Sequence, residues 1–495
     1  MKIYIKGLED IRFQRPLELL AQLFFEDCDV SLEQIDADIE VRFVLDEVNK
    51  KVSGKLGTNF EANTSYVDGK DDRESFKFKK KAVNFVFLSL LQEHTGIQQK
   101  WGILTGIRPT KLLHSKLKSG MSKEMAHEEL RNDYLIHDEK IDLMQSIVDR
   151  QLKVIPDLYN LQNEVSLYIG IPYCPTKCAY CTFPAYAIQG KQGAVDSFLY
   201  GLHYEMEKIG EFLKERGINI TTIYYGGGTP TSITAEEMDL LYAKMHESFP
   251  NMKQVREITV EAGRPDTITP EKLDVLNKWN IDRISINPQS YIQETLKAIG
   301  RHHTVDETIT KYHLAREMGM NNINMDLIIG LPGEGLKEFK YTLDETEKLM
   351  PESLTVHTLS FKRASEMTQN KQKYKVADRD EVQQMMNEAT VWTKNHNYHP
   401  YYLYRQKNIL GNLENIGYSI DGQESLYNIL IMEEEQTIIG LGCGASSKFV
   451  NPETRQITRF ANAKDPKSYN EGYEHYTNAK IKILDELFSK SNQSN

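Results

Sequence analysis

A chain of 495 residues, 40% apolar and 26% charged, is long enough for two or three domains, each with its own core. Its 71 acidic against 60 basic residues give a net charge of −11, which argues against a general nucleic-acid binder, whose affinity comes from neutralising phosphates. No apolar run approaches the ~18 residues of a membrane span, and the strongest candidate, Ala82 to Leu91, is far too short.

The start, Met1-Lys2-Ile3-Tyr4-Ile5-Lys6, reads as a strand and lacks the long apolar region of a signal peptide, so a soluble cytoplasmic protein is the default expectation. Residues 1–160 predict an N-terminal α+β domain, with strands from Lys2 to Lys6, Ile39 to Leu45 and Val52 to Leu56, and a helix from Pro16 to Phe25. Cys28, in an apolar helix-like segment, reads as a buried small hydrophobe. A charge-dense stretch from Asp68 to Lys81 precedes an apolar helix from Ala82 to Leu91. Its basic run Lys77-Phe78-Lys79-Lys80-Lys81 adjoins Asp71, Asp72 and Glu74, and reads as a solvated helix start. Trp101 to Leu113 is a loop entering a helix at Pro109, where Arg108 and Lys111 are either anion contacts or part of a docking segment.

From Glu164 the pattern changes to short apolar runs alternating with helical ones. Strands are expected from Val165 to Ile171, Thr221 to Tyr225, Glu257 to Glu261, Arg283 to Ile286, Ile323 to Ile328 and Ser353 to Leu359. Between them lie helices from Val195 to Arg216, Ala235 to Phe249, Pro270 to Trp279, Val305 to Met318 and Leu336 to Leu349. Such alternation predicts an α/β partial (β/α)6 barrel over 161–365. Residues 366–495 read as a smaller mixed C-terminal domain, with a helix from Glu381 to Asn395 and a tyrosine-rich stretch from Tyr398 to Tyr404.

Only five cysteines occur, too few and too uneven for a secreted disulfide framework. Cys174, Cys178 and Cys181 sit just past the first expected barrel strand, where barrel active sites gather. Three soft thiolates on one loop suit an iron–sulfur cluster with one open iron; a zinc site completed by Cys443 or a distant His is the alternative. Other strand ends carry chemistry too: Gly226-Gly227-Gly228-Thr229-Pro230 after the second, Glu261 ending the third, Gln289 after the fourth, Asp326 in the fifth. No Gly-Lys-Ser/Thr follows the glycine run, so it is not a phosphate-cradling loop.

The Cys-x3-Cys-x2-Cys spacing, with Tyr180 before the last cysteine, resembles the radical S-adenosylmethionine superfamily. The resemblance implies a [4Fe–4S] cluster on Cys174, Cys178 and Cys181, with S-adenosylmethionine chelating the open iron and yielding a 5′-deoxyadenosyl radical. From about residue 165 onward the chain is similar to oxygen-independent coproporphyrinogen III oxidases, and Trp101 to Lys111 with the long N-terminal region resembles their HemZ-like branch. The cofactor contacts implied are Tyr168, Tyr180, Gly227, Gly228, Thr229, Glu261, Ser360 and Ser446, with Gln289, Arg301 and Asp326 at a second S-adenosylmethionine. A tetrapyrrole substrate and a low-potential electron donor, such as a flavodoxin or ferredoxin, are implied as well.

Two departures keep haem delivery, or another radical reaction on a tetrapyrrole, open. Phe183 stands where the established decarboxylases have a fourth Cys, and Gly170 where they have a His. His302 and His303 read as a substrate-carboxylate contact or as an exposed pair, Lys362 and Arg363 as basic side chains near the mouth, and Cys443 as a small residue packed among glycines.

Overall fold

The computed structural model describes every residue except 26–27, 107, 184, 189–191, 362–364, 371–372, 407–408 and 490–495. The chain divides into two compact units, Met1–Val148 and the remainder from Asp149.

In the first unit, β1 (Lys2–Lys6), β2 (Asp29–Ser31), β3 (Ile39–Asp46), β4 (Lys51–Leu56) and β5 (Phe60–Ser65) form one sheet in the order β2-β1-β3-β4-β5. Strict alternation in β3 buries Ile39, Val41 and Phe43 and exposes the residues between, leaving one face to be covered. Helices α1 (Gln14–Ala21) and α2 (Asp72–Thr95) cover it, with Leu17, Leu20, Val83, Val86, Phe87 and Leu90 in the core. The charge-dense stretch contains the helix start read from its basic run: most of it forms the first turns of α2, capped where Asp71 accepts from the Glu74 N–H at 2.8 Å. The first helix ends at Ala21, earlier than its apolar residues suggest. Cys28 is buried as expected, but in extended chain just before β2, and burial pushes its thiol up to about 11. Helices α3 (Pro109–Lys118), with Pro109 in its first turn, α4 (Lys123–Tyr134) and α5 (Asp138–Val154) follow, and the boundary between the units falls inside α5.

The second unit opens with β6 (Glu164–Ile171), then the short parallel pair β7 (Tyr173–Cys174) and β8 (Tyr186–Ala187). Strands β9 (Asn219–Gly227), β10 (Glu257–Glu261), β11 (Arg283–Ser285), β12 (Ile323–Ile329) and β13 (Ser353–Thr358) continue from β6 side by side in chain order, all parallel. Between them run α6 (Gln192–Arg216), α7 (Ala235–Ser248), α8 (Pro270–Lys278), α9 (Gln293–Ala298), α10 (Val305–Glu317) and α11 (Leu336–Leu349). This is the partial (β/α)6 barrel that the alternation predicts; Val165, Leu167, Ile169 and Ile171 on one face of β6 are fully buried, and on the other Ser166 and Gly170 are buried too, as a strand covered on both faces requires.

Beyond residue 365 come α12 (Glu366–Gln369), α13 (Arg379–Asn395), β14 (His399–Tyr404), β15 (Asn415–Ser419), α14 (Leu426–Glu433), β16 (Thr437–Gly442), β17 (Ser446–Val450), β18 (Ile457–Ala461) and α15 (Pro466–Ser489). Their strands join the barrel sheet instead of forming a layer of their own. β15 and β14 extend it antiparallel from β13, while β16 pairs parallel with β6 and leads to β17 and β18, giving eleven strands in all. α15 is fastened to α6 by a buried ion pair, Lys480 with Glu205. That carboxylate also accepts from Gly442 N–H, Asn462 and the Tyr469 hydroxyl, so the pair is hydrogen-bonded all round. Among the described residues no helix is long and apolar enough to cross a membrane.

Candidate active site

The three clustered cysteines lie on the loop that leaves β6, and the chain itself ties that loop down. Thr229 N–H donates to Tyr173 O at 2.7 Å, Thr176 Oγ1 to Gly300 O at 3.2 Å, and Ala179 N–H to Ile299 O at 3.0 Å. Cys174 Sγ is 3.3 Å from Thr229 Oγ1. Burial pushes the Cys174 thiol up to about 11, and the nearby Cys178 and Cys181 add to the rise, so iron must displace a firmly held proton.

The glycine run passes directly beneath the loop. A Cβ at Gly228 would stand 2.5 Å from Tyr173 O and 3.1 Å from Cys174 Sγ, and Gly227, at φ +108°, approaches Ile171 O. The chain's own packing therefore already requires both glycines. Since Gly228 and Thr229 N–H groups are spent on Ile171 O and Tyr173 O, what the run can offer a ligand ammonium is carbonyl oxygen.

Tyr168 of β6, Tyr224 of β9 and Tyr427 of α14 stack, with the last two rings 4.4 Å apart at 22°. Tyr224 Oη donates to Glu261 Oε1 at 2.6 Å. Burial pushes the Glu261 carboxyl up to about 7, against the Tyr224 hydrogen bond and with help from the charge of Asp326. Tyr180 packs against the apolar cluster of Leu296, Ile299, Ile328 and Leu331.

Gln289, at φ +65°, is locked by backbone bonds to Asp326 O and from Ile328 N–H. Arg301 is buried and donates to Asn287 O at 2.6 Å. Asp326 has both oxygens engaged: Asn324 donates to Oδ1 at 2.8 Å and Asn287 to Oδ2 at 2.9 Å, with His357 Nε2 3.5 Å away. Burial would raise this carboxyl, but the hydrogen bond and charge of His357 outweigh it and hold it below its ordinary value. His357 in turn meets Tyr404 Oη at 3.1 Å through Nδ1. This Tyr404–His357–Asp326 chain escaped the sequence analysis, because Tyr404 reaches it from β14, two strands away from β13. Room for the aromatic residues of β14 comes from Gly417 of β15, where a Cβ would collide with the Tyr402 ring.

Other expected site residues fall further out. Ser360 is buried just past β13, bridged to Ile409, and Ser446 is exposed at the start of β17, two strands from β6. His302 and His303 are not an exposed pair: His303 is buried, and burial with the charges of Arg301 and Arg264 pushes it down to about 3. Lys362 and Arg363 lie outside the described residues. Cys443 is buried, with its thiol donating to Ala463 O at 3.4 Å, as packing among glycines predicts. A polar cavity of about 420 Å³, lined by Arg150, Glu257, Arg283 and Glu424, lies at the opposite, N-terminal ends of the strands.

The cofactors implied by the sequence fit these residues. Cys174, Cys178 and Cys181 on one loop offer one thiol to each of three irons of a cubane and fall one ligand short of a closed zinc site. Nearby, Gln289 Oε1, Arg301 Nε, Ser285 Oγ and Thr259 Oγ1 are buried with no hydrogen-bond partner, capacity that a polar ligand would use.

The family model described as the radical SAM superfamily matches residues 168–346. Over 497 residues, 99% of each chain, the sequence is 68% identical to the oxygen-independent coproporphyrinogen-III oxidase-like protein HemZ of Bacillus subtilis (strain 168). It is 36% identical to the heme chaperone HemW of the same organism over 194 residues, 39% of this chain and 50% of that one. The solved structure of coproporphyrinogen III oxidase (HemN) from Escherichia coli, a radical SAM enzyme, shares the fold over 66% of this chain and 72% of its own, at TM-score 0.52 and 20% identity. A likeness that runs the full length, with the cysteine loop seated at the barrel mouth, places the chain in the radical SAM superfamily, among the oxygen-independent coproporphyrinogen-III oxidase-like proteins that include HemZ.

Proposed function

We propose that this chain catalyses the oxygen-independent oxidative decarboxylation of coproporphyrinogen III to protoporphyrinogen IX. Each of two propionate side chains loses a β-hydrogen atom to a 5′-deoxyadenosyl radical, then CO2 and one electron, the electron passing to a one-electron acceptor, and becomes a vinyl group. The observation that carries this reading is the likeness to HemZ, 68% identical over 99% of the chain, whereas the heme chaperone HemW of Haemophilus influenzae is 27% identical over 66% of it. When bound, the cluster and S-adenosylmethionine supply the 5′-deoxyadenosyl radical that takes the hydrogen atom. The chain's part is to bind and orient. Cys174, Cys178 and Cys181 would hold three irons of the cluster, and the carbonyls beside Gly227 and Gly228 would receive the ammonium of S-adenosylmethionine. The Tyr168, Tyr224 and Tyr427 rings keep water from that end of the barrel.

Gln289 and Arg301 keep hydrogen-bonding capacity for a second S-adenosylmethionine, while Asp326 holds Asn287, Asn324 and His357 in place around it. A flavodoxin or ferredoxin would deliver the electron. Five cysteines are too few and too unevenly placed for a disulfide framework, which supports a reducing, cytoplasmic setting.

A second reading, haem delivery, is favoured by Phe183, whose side chain is 57% exposed on the cysteine loop where the established decarboxylases have a thiol. Anaerobically reconstituted protein given coproporphyrinogen III, S-adenosylmethionine and a reductant should yield vinyl product near stoichiometry with 5′-deoxyadenosine, measured by mass spectrometry. No product, together with tight stoichiometric haem binding, would replace the decarboxylase with haem delivery. Phe183→Cys separates the intermediate case: a higher ratio of product to 5′-deoxyadenosine in the variant would show that the missing thiol limits the second half of the reaction.

A further inference from the structure

The third and fourth parallel strands are each followed by a Gly-Arg dipeptide, Gly263-Arg264 and Gly300-Arg301, and the cysteine loop is threaded between them. Arg301 reaches the side chains of Cys178 and Tyr180, and Arg264, which was not singled out by the sequence, reaches the loop at Thr176. It is only 3% exposed, and its guanidinium is gripped by Asp266, Nε to Oδ1 at 3.1 Å and Nη2 to Oδ2 at 3.0 Å. Such a two-point grip fixes the plane of the guanidinium. The remaining nitrogen, Nη1, then points at the middle of the loop and donates to Thr176 O at 3.2 Å and Thr176 Oγ1 at 3.0 Å. Thr176 passes the restraint on, donating from Oγ1 to Gly300 O at 3.2 Å. Gly300 itself has φ +77°, and a Cβ there would stand 3.2 Å from Lys177 O. Arg301 closes the ring by donating to Gly263 O at 3.4 Å and Asn287 O at 2.6 Å.

We propose that Arg264 is a positioning residue for the cysteine loop: it holds the segment from Cys174 to Cys181 in its ligating conformation before iron arrives, and sets a buried positive charge beside the bound cluster. The proposal rests on those three cysteines being cluster ligands. Thr176 lies midway between Cys174 and Cys178, so fixing its carbonyl and hydroxyl fixes the turn that separates the two thiols. Three thiolates on a [4Fe–4S]2+ core give a negative cluster, and one-electron reduction makes it more so. A buried cation alongside favours the reduced form. Ordering the loop in advance also spares iron binding the entropy of closing it.

The test compares the full-length wild type with Arg264→Gln, Arg264→Lys and Thr176→Val. In the metal-free proteins, hydrogen exchange across residues 174–181, read by mass spectrometry, should be about tenfold or more faster in Arg264→Gln and Arg264→Lys. Thr176→Val, which keeps the carbonyl bond, should fall between them and the wild type. After reconstitution the midpoint potential of the cluster should move negative in Arg264→Gln and return towards wild type in Arg264→Lys, which restores the charge but not the grip. That split between exchange and potential is one a merely structural residue would not give. Wild-type exchange in a folded Arg264→Gln, or an unchanged potential, overturns the proposal. Should Arg264→Gln fail to fold, Thr176→Val decides through exchange alone, with an unchanged rate counting against. Wild-type protein that takes up no iron would instead overturn the cluster reading, while the exchange comparison still stands on its own.

Discussion

Glu261 shows what the inside of this barrel does to a single carboxyl group. Its partner is a neutral hydroxyl, and burial holds its acidity near 7 instead of the ordinary 4.5. The folded chain thus keeps a proton that the unfolded chain releases. Stability from this group is fully present below pH 4.5 and is lost as the pH rises through about 7. Glu261→Gln should therefore flatten the fall in melting temperature between pH 5 and pH 8, with most of its gain at the alkaline end; an unchanged pH slope would show that the carboxyl is not held protonated. Gly170 poses a steric question instead. A Cβ there would come within 2.8 Å of Cys443 O, so the His that the established decarboxylases have at this place would push the turn after β16 away. Gly170→His should cost about 1–3 kcal/mol in urea unfolding, the usual range for overpacking. At this scale the sequence is legible where the contact is local. Cys174, Cys178 and Cys181 declare themselves by spacing, whereas Arg264, His357 and Tyr404 gain their meaning from partners on other strands, to which no spacing points.

Single elements were easiest to read where periodicity and burial agree. The strands of the barrel are apolar because helices cover the outer face and the barrel interior the other, and five of the helices between them were placed from their sequence with limits off by only a few residues. β5 was invisible because Phe60–Ser65 buries none of its residues fully, and β2 because three residues carry no period. The placing of β16 beside β6 was hidden too, since a strand's sequence states that it is buried and not which neighbour buries it. What holds that end of the sheet is the Lys480–Glu205 pair between α15 and α6. Removing one partner leaves an uncompensated buried charge, so Lys480→Met should cost about 3–5 kcal/mol in urea, with the midpoint lowered and the slope kept. A loss below about 1 kcal/mol would mean that the glutamate is satisfied without the lysine.

On the scale of the whole molecule, the first unit carries a complete core of its own, from Ile3 to Ile103. The second is organised differently: its central sheet is built from both ends of its sequence. β6, the strand that launches the cysteine loop, lies between β9 and β16, and the residues of β16 come about 270 positions after those of β6, as Ser166 opposite Ile438 shows. A chain growing on the ribosome could thus finish the N-terminal unit early, but would hold β6 with one edge unpaired until β16 had emerged. Iron loading would accordingly wait for β16. A chain stopped just before Thr437 should collect in aggregates and carry no iron; soluble, iron-loaded truncated protein would show that β6 can do without its late neighbour.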